Sequence, residues 1–135
     1  MTNPRHEAIM PAELPAAPAV NNTYSYGVRA GDTLHIAGMV AFGPDGTIVG
    51  EGDIAAQVDQ ALRNMEAVVT AAGGSMADVV GTTTYLVNVA DAPVVSAARA
   101  TWFTWPVKPT HTVVGVAALG RPQFLVEIEG TAYLG

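Results

Sequence analysis

The chain has 135 residues, half of them hydrophobic, a size that suits one domain around a single core. Six basic against twelve acidic residues give a formal charge of −6, and with Lys108 the sole lysine there is no cationic surface for phosphate backbones, which argues against nucleic acid as a partner. Zero cysteines exclude disulfides, thiolate metal sites and a cysteine nucleophile, and agree with a cytoplasmic location.

Residues 1–22 lack periodicity and hold four of the nine prolines, so they are read as an extended N-terminal arm ahead of a single domain spanning 23–135. Pro11, Glu13, Pro15 and Pro18 interrupt any apolar run there, so neither a signal peptide nor a membrane span is expected. Residues 24–29 and 33–38 flank Ala30-Gly31-Asp32, a hairpin turn signal. Gly43-Pro44-Asp45-Gly46 is a second turn, with a short strand expected at 47–49.

Asp53 occupies an N-cap position. Ile54, Val58, Ala61, Leu62, Met65, Val68, Val69 and Ala72 then recur at three- and four-residue spacing until Gly73-Gly74, which predicts an amphipathic helix. Residues 79–88, rich in Thr, Val and Tyr, predict a strand. Asp91 is placed as the cap of a second helix over 92–104, with Pro93 in its first turn and Trp105-Pro106 as its stop. Two further strands are expected at 111–118 and 124–133, joined by a loop short enough for a hairpin or a tight crossover. Each helix has one apolar stripe, so both are expected on one face of a mixed sheet, leaving the other face for a second copy. The low charged fraction, 13%, likewise points to burial against other subunits.

The last two strands carry the chemistry. Period-two alternation puts Glu127 and Glu129 on one face, opposite Val126 and Ile128. That face is either solvated or part of a cleft in which a partly desolvated glutamate activates water. His111 opens the preceding strand, so a His/Glu acid/base pair across neighbouring strands is expected; the alternative is a structural histidine. The three histidines have no metal-ligand spacing, and there is no Gly-x-Ser-x-Gly elbow, Walker loop or dinucleotide-binding glycine pattern, so no metal or organic cofactor is expected. Tyr24 offers a hydroxyl and Trp105 an apolar wall.

From about residue 24 to 133 the chain resembles the RidA/YjgF reactive intermediate deaminase family. The resemblance rests on Ile36-Ala37-Gly38, the helix over 57–73, Asp78-Val79-Val80, the Thr82-Thr83-Thr84-Tyr85-Leu86-Val87 run, and Pro109 with Val114, Val116 and Leu119 followed by Val126-Glu127-Ile128-Glu129. It implies a chorismate-mutase-like α+β fold, a mixed sheet backed by two helices, assembled as a homotrimer with a central barrel and active sites between subunits. It also implies cofactor-free hydrolysis of a small imine or enamine substrate to a keto acid and ammonia. Carried onto this chain, the water-positioning glutamate falls on Glu127, a tyrosine on Tyr24 and backbone contacts on Gly38 and Val113.

The family's carboxylate-binding arginine falls on His111, and its pocket asparagine on Ala90. A guanidinium presents a charged fork to a carboxylate, whereas imidazole offers one or two donors and is mostly neutral at pH 7. Arg121 is another guanidinium nearby in sequence, but nothing in the sequence places it at the site. The run 121–125 and the Thr131-Ala132-Tyr133 ending are similar to the aminomuconate deaminase branch, which implies a catabolic or specialised-metabolism setting. Two functions follow. One is a hydrolase in which Glu127 activates water and His111 polarises the substrate or moves a proton; the other is a catalytically altered trimer that binds small molecules or acts as a chaperone.

Overall fold

The computed structural model describes residues 5–16 and 22–135. Six strands form one mixed sheet: β1 (His6–Ile9), β2 (Gly27–Ala30), β3 (Thr33–Met39), β4 (Val79–Leu86), β5 (Thr110–Gly115) and β6 (Val126–Tyr133), in the order β1-β2-β3-β6-β4-β5. Two helices, α1 (Ile54–Ala71) and α2 (Ala92–Trp102), complete it.

Part of the segment expected to be an arm joins the sheet. Strand β1 pairs antiparallel with β2 at the sheet edge, Leu14 is buried in the core, and the Tyr26 hydroxyl donates to the Pro15 carbonyl at 2.7 Å. An edge strand needs only one partner, so β1 forms from a short segment with little apolar periodicity. The remainder of the arm, including Pro18, lies outside the described residues. The β2–β3 hairpin turns at Gly31, whose φ of 62° is the left-handed conformation that glycine tolerates. The strand expected at 47–49 is reduced to one bridge, Phe42 to Ile48, because the Gly43–Gly46 turn and the Asp45–Thr47 hydrogen bonds use the neighbouring groups locally.

Helix α1 follows its periodicity. Asp53 accepts from the Ala56 amide at 3.1 Å, and Val58, Ala61, Leu62, Met65, Val68 and Val69 are fully buried. At α2 the expected cap differs: Asp91 makes no side-chain cap bond, because the chain enters α2 from a 3-10 turn, Val89–Asp91, which is capped by Asn88. The helix ends at Trp102, short of Trp105-Pro106, where Phe103 turns into the core and Lys108 Nζ donates to its carbonyl at 2.8 Å.

Both helices cover one face. Met65 of α1 packs against Gly130 of β6, and Arg99 of α2 reaches Thr82 of β4, whose register partner is Gly130. The opposite face, bearing His35, Thr83, Tyr85, Thr112, Glu129 and Thr131, has no covering layer among the described residues.

The topology corrects the expected adjacency of the last two strands. Strand β5 pairs parallel with β4, whereas β6 pairs antiparallel with β4's other edge, so β4 lies between them. Their connection is a crossover: β5 and β6 run antiparallel to each other, but the hairpin alternative fails because β4 is inserted between them and they share no hydrogen bonds.

Candidate functional site

Glu127 stands on β6 opposite Tyr85 of β4, on the face away from the helices. Its neighbours Val126 and Ile128 are fully buried while Glu127 and Glu129 are half-buried, as period-two alternation requires. Across the sheet lies β3, where a register irregularity between Ile36 and Met39 brings Gly38 against the glutamate. A Cβ at residue 38 would sit 2.6 Å from Glu127 Cδ and 2.9 Å from Oε2, so the missing side chain is what lets the carboxylate lie across the backbone.

This carboxylate faces an open cavity of about 460 Å³ whose lining includes Tyr24, Gly38, Phe42, Arg121, Phe124 and Glu127. Burial pushes the Glu127 carboxyl above its ordinary value, and the negative charge of Glu129 adds to the effect. Glu129 is engaged elsewhere, accepting from the Tyr85 hydroxyl at 2.6 Å. The Tyr24 phenol is raised by burial and by Glu127, and its ring meets Tyr26 edge-on at 5.8 Å. The site thus holds a partly desolvated carboxylate poised to accept a proton, next to a neutral phenol that can donate a hydrogen bond.

His111 is elsewhere. It pairs in register with Thr82, which puts its ring on the helix-covered face, with β4 between it and Glu127. Its Nε2 lies 3.1 Å from Oγ1 of the fully buried Thr84. Burial lowers its pKa from the ordinary 6.5, and the nearby Arg99 guanidinium lowers it further, so the ring is neutral at pH 7. The expected His/Glu pair across neighbouring strands therefore does not form within one protomer: the two side chains sit on opposite faces of the sheet, two strands apart. Val113 lies on β5 and Trp105 in the connection from α2 to β5, each more than one-third exposed. Of the six expected site residues, one protomer brings Tyr24, Gly38 and Glu127 together and leaves His111 and Val113 on the far edge strand and Trp105 in the connection that leads into it.

Two arginines complete the picture. Arg99 donates from Nη1 to Thr82 Oγ1 at 2.8 Å and lies 4.9 Å from the centroid of the Phe103 ring. Its only sequence signal is a cation within an otherwise uncharged helix. Arg121, which sequence could not place, lines the Glu127 cavity. Among the described residues no group of three or more His, Asp or Glu side chains is arranged to hold a metal ion, and no helix is long and apolar enough to cross a membrane.

Residues 14–134 match the protein-family model described as Endoribonuclease L-PSP. The chain is 34% identical over 119 residues to the 2-iminobutanoate/2-iminopropanoate deaminase of Mus musculus, covering 88% of this chain and 87% of that protein. Among solved structures, a Rid family protein of unknown function, YyfA from Yersinia pestis, superposes with a TM-score of 0.87 at 30% identity, covering 95% of this chain and 98% of that one. RidA from the Antarctic bacterium Psychrobacter gives a TM-score of 0.84 at 33% identity, with 94% and 98% covered. The mixed sheet with two helices on one face is the chorismate-mutase-like α+β fold. The chain belongs to the Endoribonuclease L-PSP family, the RidA/YjgF proteins.

Proposed function

We propose that this protein is a cofactor-free deaminase that hydrolyses a small, reactive imine, or an enamine after it tautomerises to the imine. The observation that carries this reading is the half-buried Glu127 carboxylate, its pKa raised by desolvation, set across Gly38 and facing a cavity of about 460 Å³. The name of the mouse relative supports the same substrate class.

In the reaction, Glu127 takes a proton from water as the water oxygen attacks the imine carbon. The proton passes to the nitrogen, and the resulting carbinolamine collapses with cleavage of the C–N bond to give a carbonyl product and ammonia. Tyr24, held neutral, donates a hydrogen bond to the substrate. A polar base in a partly water-excluded cavity acts on a transition state in which charge develops close to it.

His111 enters this reading as a neutral hydrogen-bonding polariser supplied by a second copy, because β4 separates it from Glu127 of its own chain. An arrangement of three copies with intersubunit clefts would bring the β5 edge of one protomer to the Glu127 cavity of the next. The exposed apolar side chains of Val113 on β5, Val89 beside Gly115, and Trp105 and Val107 in the connection leading into β5 support it. The chain's lack of cysteine supports work in the cytoplasm, and its acidity argues against an RNA substrate.

The test is ammonia release from 2-iminobutanoate generated in situ. Glu127→Gln should lower turnover by about 10²–10⁴-fold, the usual contribution of a positioned base, while leaving the fold intact. Turnover at the wild-type rate in that variant would refute the mechanism. No turnover by the wild type across a panel of imines would favour a small-molecule binding protein.

A further inference from the structure

We propose that Arg121 is the anion anchor of the Glu127 cavity, so that the site takes a substrate with a carboxylate beside the reacting imine carbon and reads it with a residue of the β5–β6 connection. The inference rests on the deaminase reading for its substrate, though not for the anchor itself. Three charged side chains line the cavity: Glu127, Asp45 and Arg121. The Asp45 carboxylate is occupied by the Thr47 amide at 3.1 Å and hydroxyl at 2.7 Å. Arg121 is the sole cation in the lining, and no carboxylate lies within ion-pair distance of it among the described residues. A guanidinium facing a cavity without a protein counter-ion is suited to a two-pronged contact with a ligand carboxylate.

The loop bearing Arg121 is held from beneath. The fully buried Gln57 of α1 donates from Nε2 to the Gln123 carbonyl at 2.9 Å and to the Gly50 carbonyl at 3.2 Å, and its Oε1 accepts from the Leu125 amide at 2.9 Å. The Phe124 amide closes a turn on the Arg121 carbonyl at 3.1 Å. The buried Phe124 ring lies 5.8 Å from the guanidinium carbon and packs edge-on against Phe42. The cation therefore stands on an aromatic platform fixed to α1, on the same side of the protomer as Glu127, whereas His111 is uncharged and faces the helices. Carboxylate selectivity is thus assigned to the loop and not to the β5 edge.

The experiment measures binding by amide chemical-shift titration with two non-reacting probes, 2-oxobutanoate and 2-oxobutanamide, and measures ammonia release separately. The wild type should prefer the acid, with shifts at Gly38 and Glu127. Arg121→Gln should weaken acid binding by about tenfold or more and leave the amide unchanged, Arg121→Lys should fall between, and Arg63→Gln, which removes the same charge from the outer surface of α1, should bind like the wild type. Acid binding in Arg121→Gln within about twofold of the wild type would overturn the proposal, as would equal or absent binding of the two probes by the wild type. If the acid preference is present and Arg121-dependent but no imine is turned over, the anchor stands and the deaminase reading falls.

Discussion

The Glu127 cavity and the His111 edge lie in one sheet, yet they are built in opposite ways. At the cavity, polar groups point away from the helices and are left with capacity: Glu127 is desolvated without being neutralised, Tyr24 keeps its proton, and Gly38 leaves space. At the edge, polar groups point toward the helices and have partners within the protomer. His111 bonds Thr84, Arg99 bonds Thr82, and Thr82 donates on to the Thr110 carbonyl at 2.9 Å. Side chains hydrogen-bonded to one another stabilise packing, whereas a partly desolvated carboxylate facing a cavity is suited to chemistry.

The contrast can be broken most severely at the cavity. Gly38→Ala should push the Glu127 carboxylate aside and lower turnover by about 10²-fold, since ångström-scale misplacement of a catalytic group costs that much, while the circular dichroism spectrum stays unchanged. Full activity in that variant would mean the close approach is incidental. Next in size is Gln57→Leu, which strands the Gln123 and Gly50 carbonyls and the Leu125 amide. Each buried unpaired group costs about 1–3 kcal/mol, so denaturant unfolding should show a loss of at least that size, with 2-oxobutanoate binding weakened as the Arg121 loop relaxes.

Linkage gives a smaller effect. Glu127's folded pKa is raised, so the folded state holds that proton more tightly than the unfolded chain, and the associated stability is present below the ordinary 4.5 and lost as pH rises through the folded value. Glu127→Gln should therefore raise the melting temperature at neutral pH while lowering turnover. His111 has the opposite sign: its folded pKa is lowered, so its contribution is present above 6.5 and is lost as pH falls through the folded value. The smallest expected change is local. Arg99→Gln should move the His111 pKa back up in an NMR titration of the ring protons, and no movement would show that burial alone sets it.

Much of this was readable in the chain. The spacing of Val58, Leu62, Met65 and Val69 specifies α1 and its buried stripe, and Val126 and Ile128 against Glu127 and Glu129 specify the two faces of β6, because both patterns are local. What failed was non-local. His111 and Glu127 are close in sequence and on consecutive strands, but β4 enters between them, and which strand a segment pairs with is decided by the whole sheet. The face on which His111 lies follows from its register against Thr82, which no local signal fixes. Gly38 was visible as a residue, but the reason for it, the glutamate lying across it, appears only when β3 and β6 are side by side. Strand β1 was hidden because edge strands need little apolar pattern.

The central claim is that Glu127, and not His111, is the base. The most direct measurement is the pH dependence of kcat/KM for ammonia release from 2-iminobutanoate in His111→Gln beside the wild type. Activity that rises through a pKa above the ordinary carboxylate value in both proteins, with the acid limb in place, is the predicted result. Loss of the acid limb in His111→Gln would contradict the account and return the base to the β5 edge.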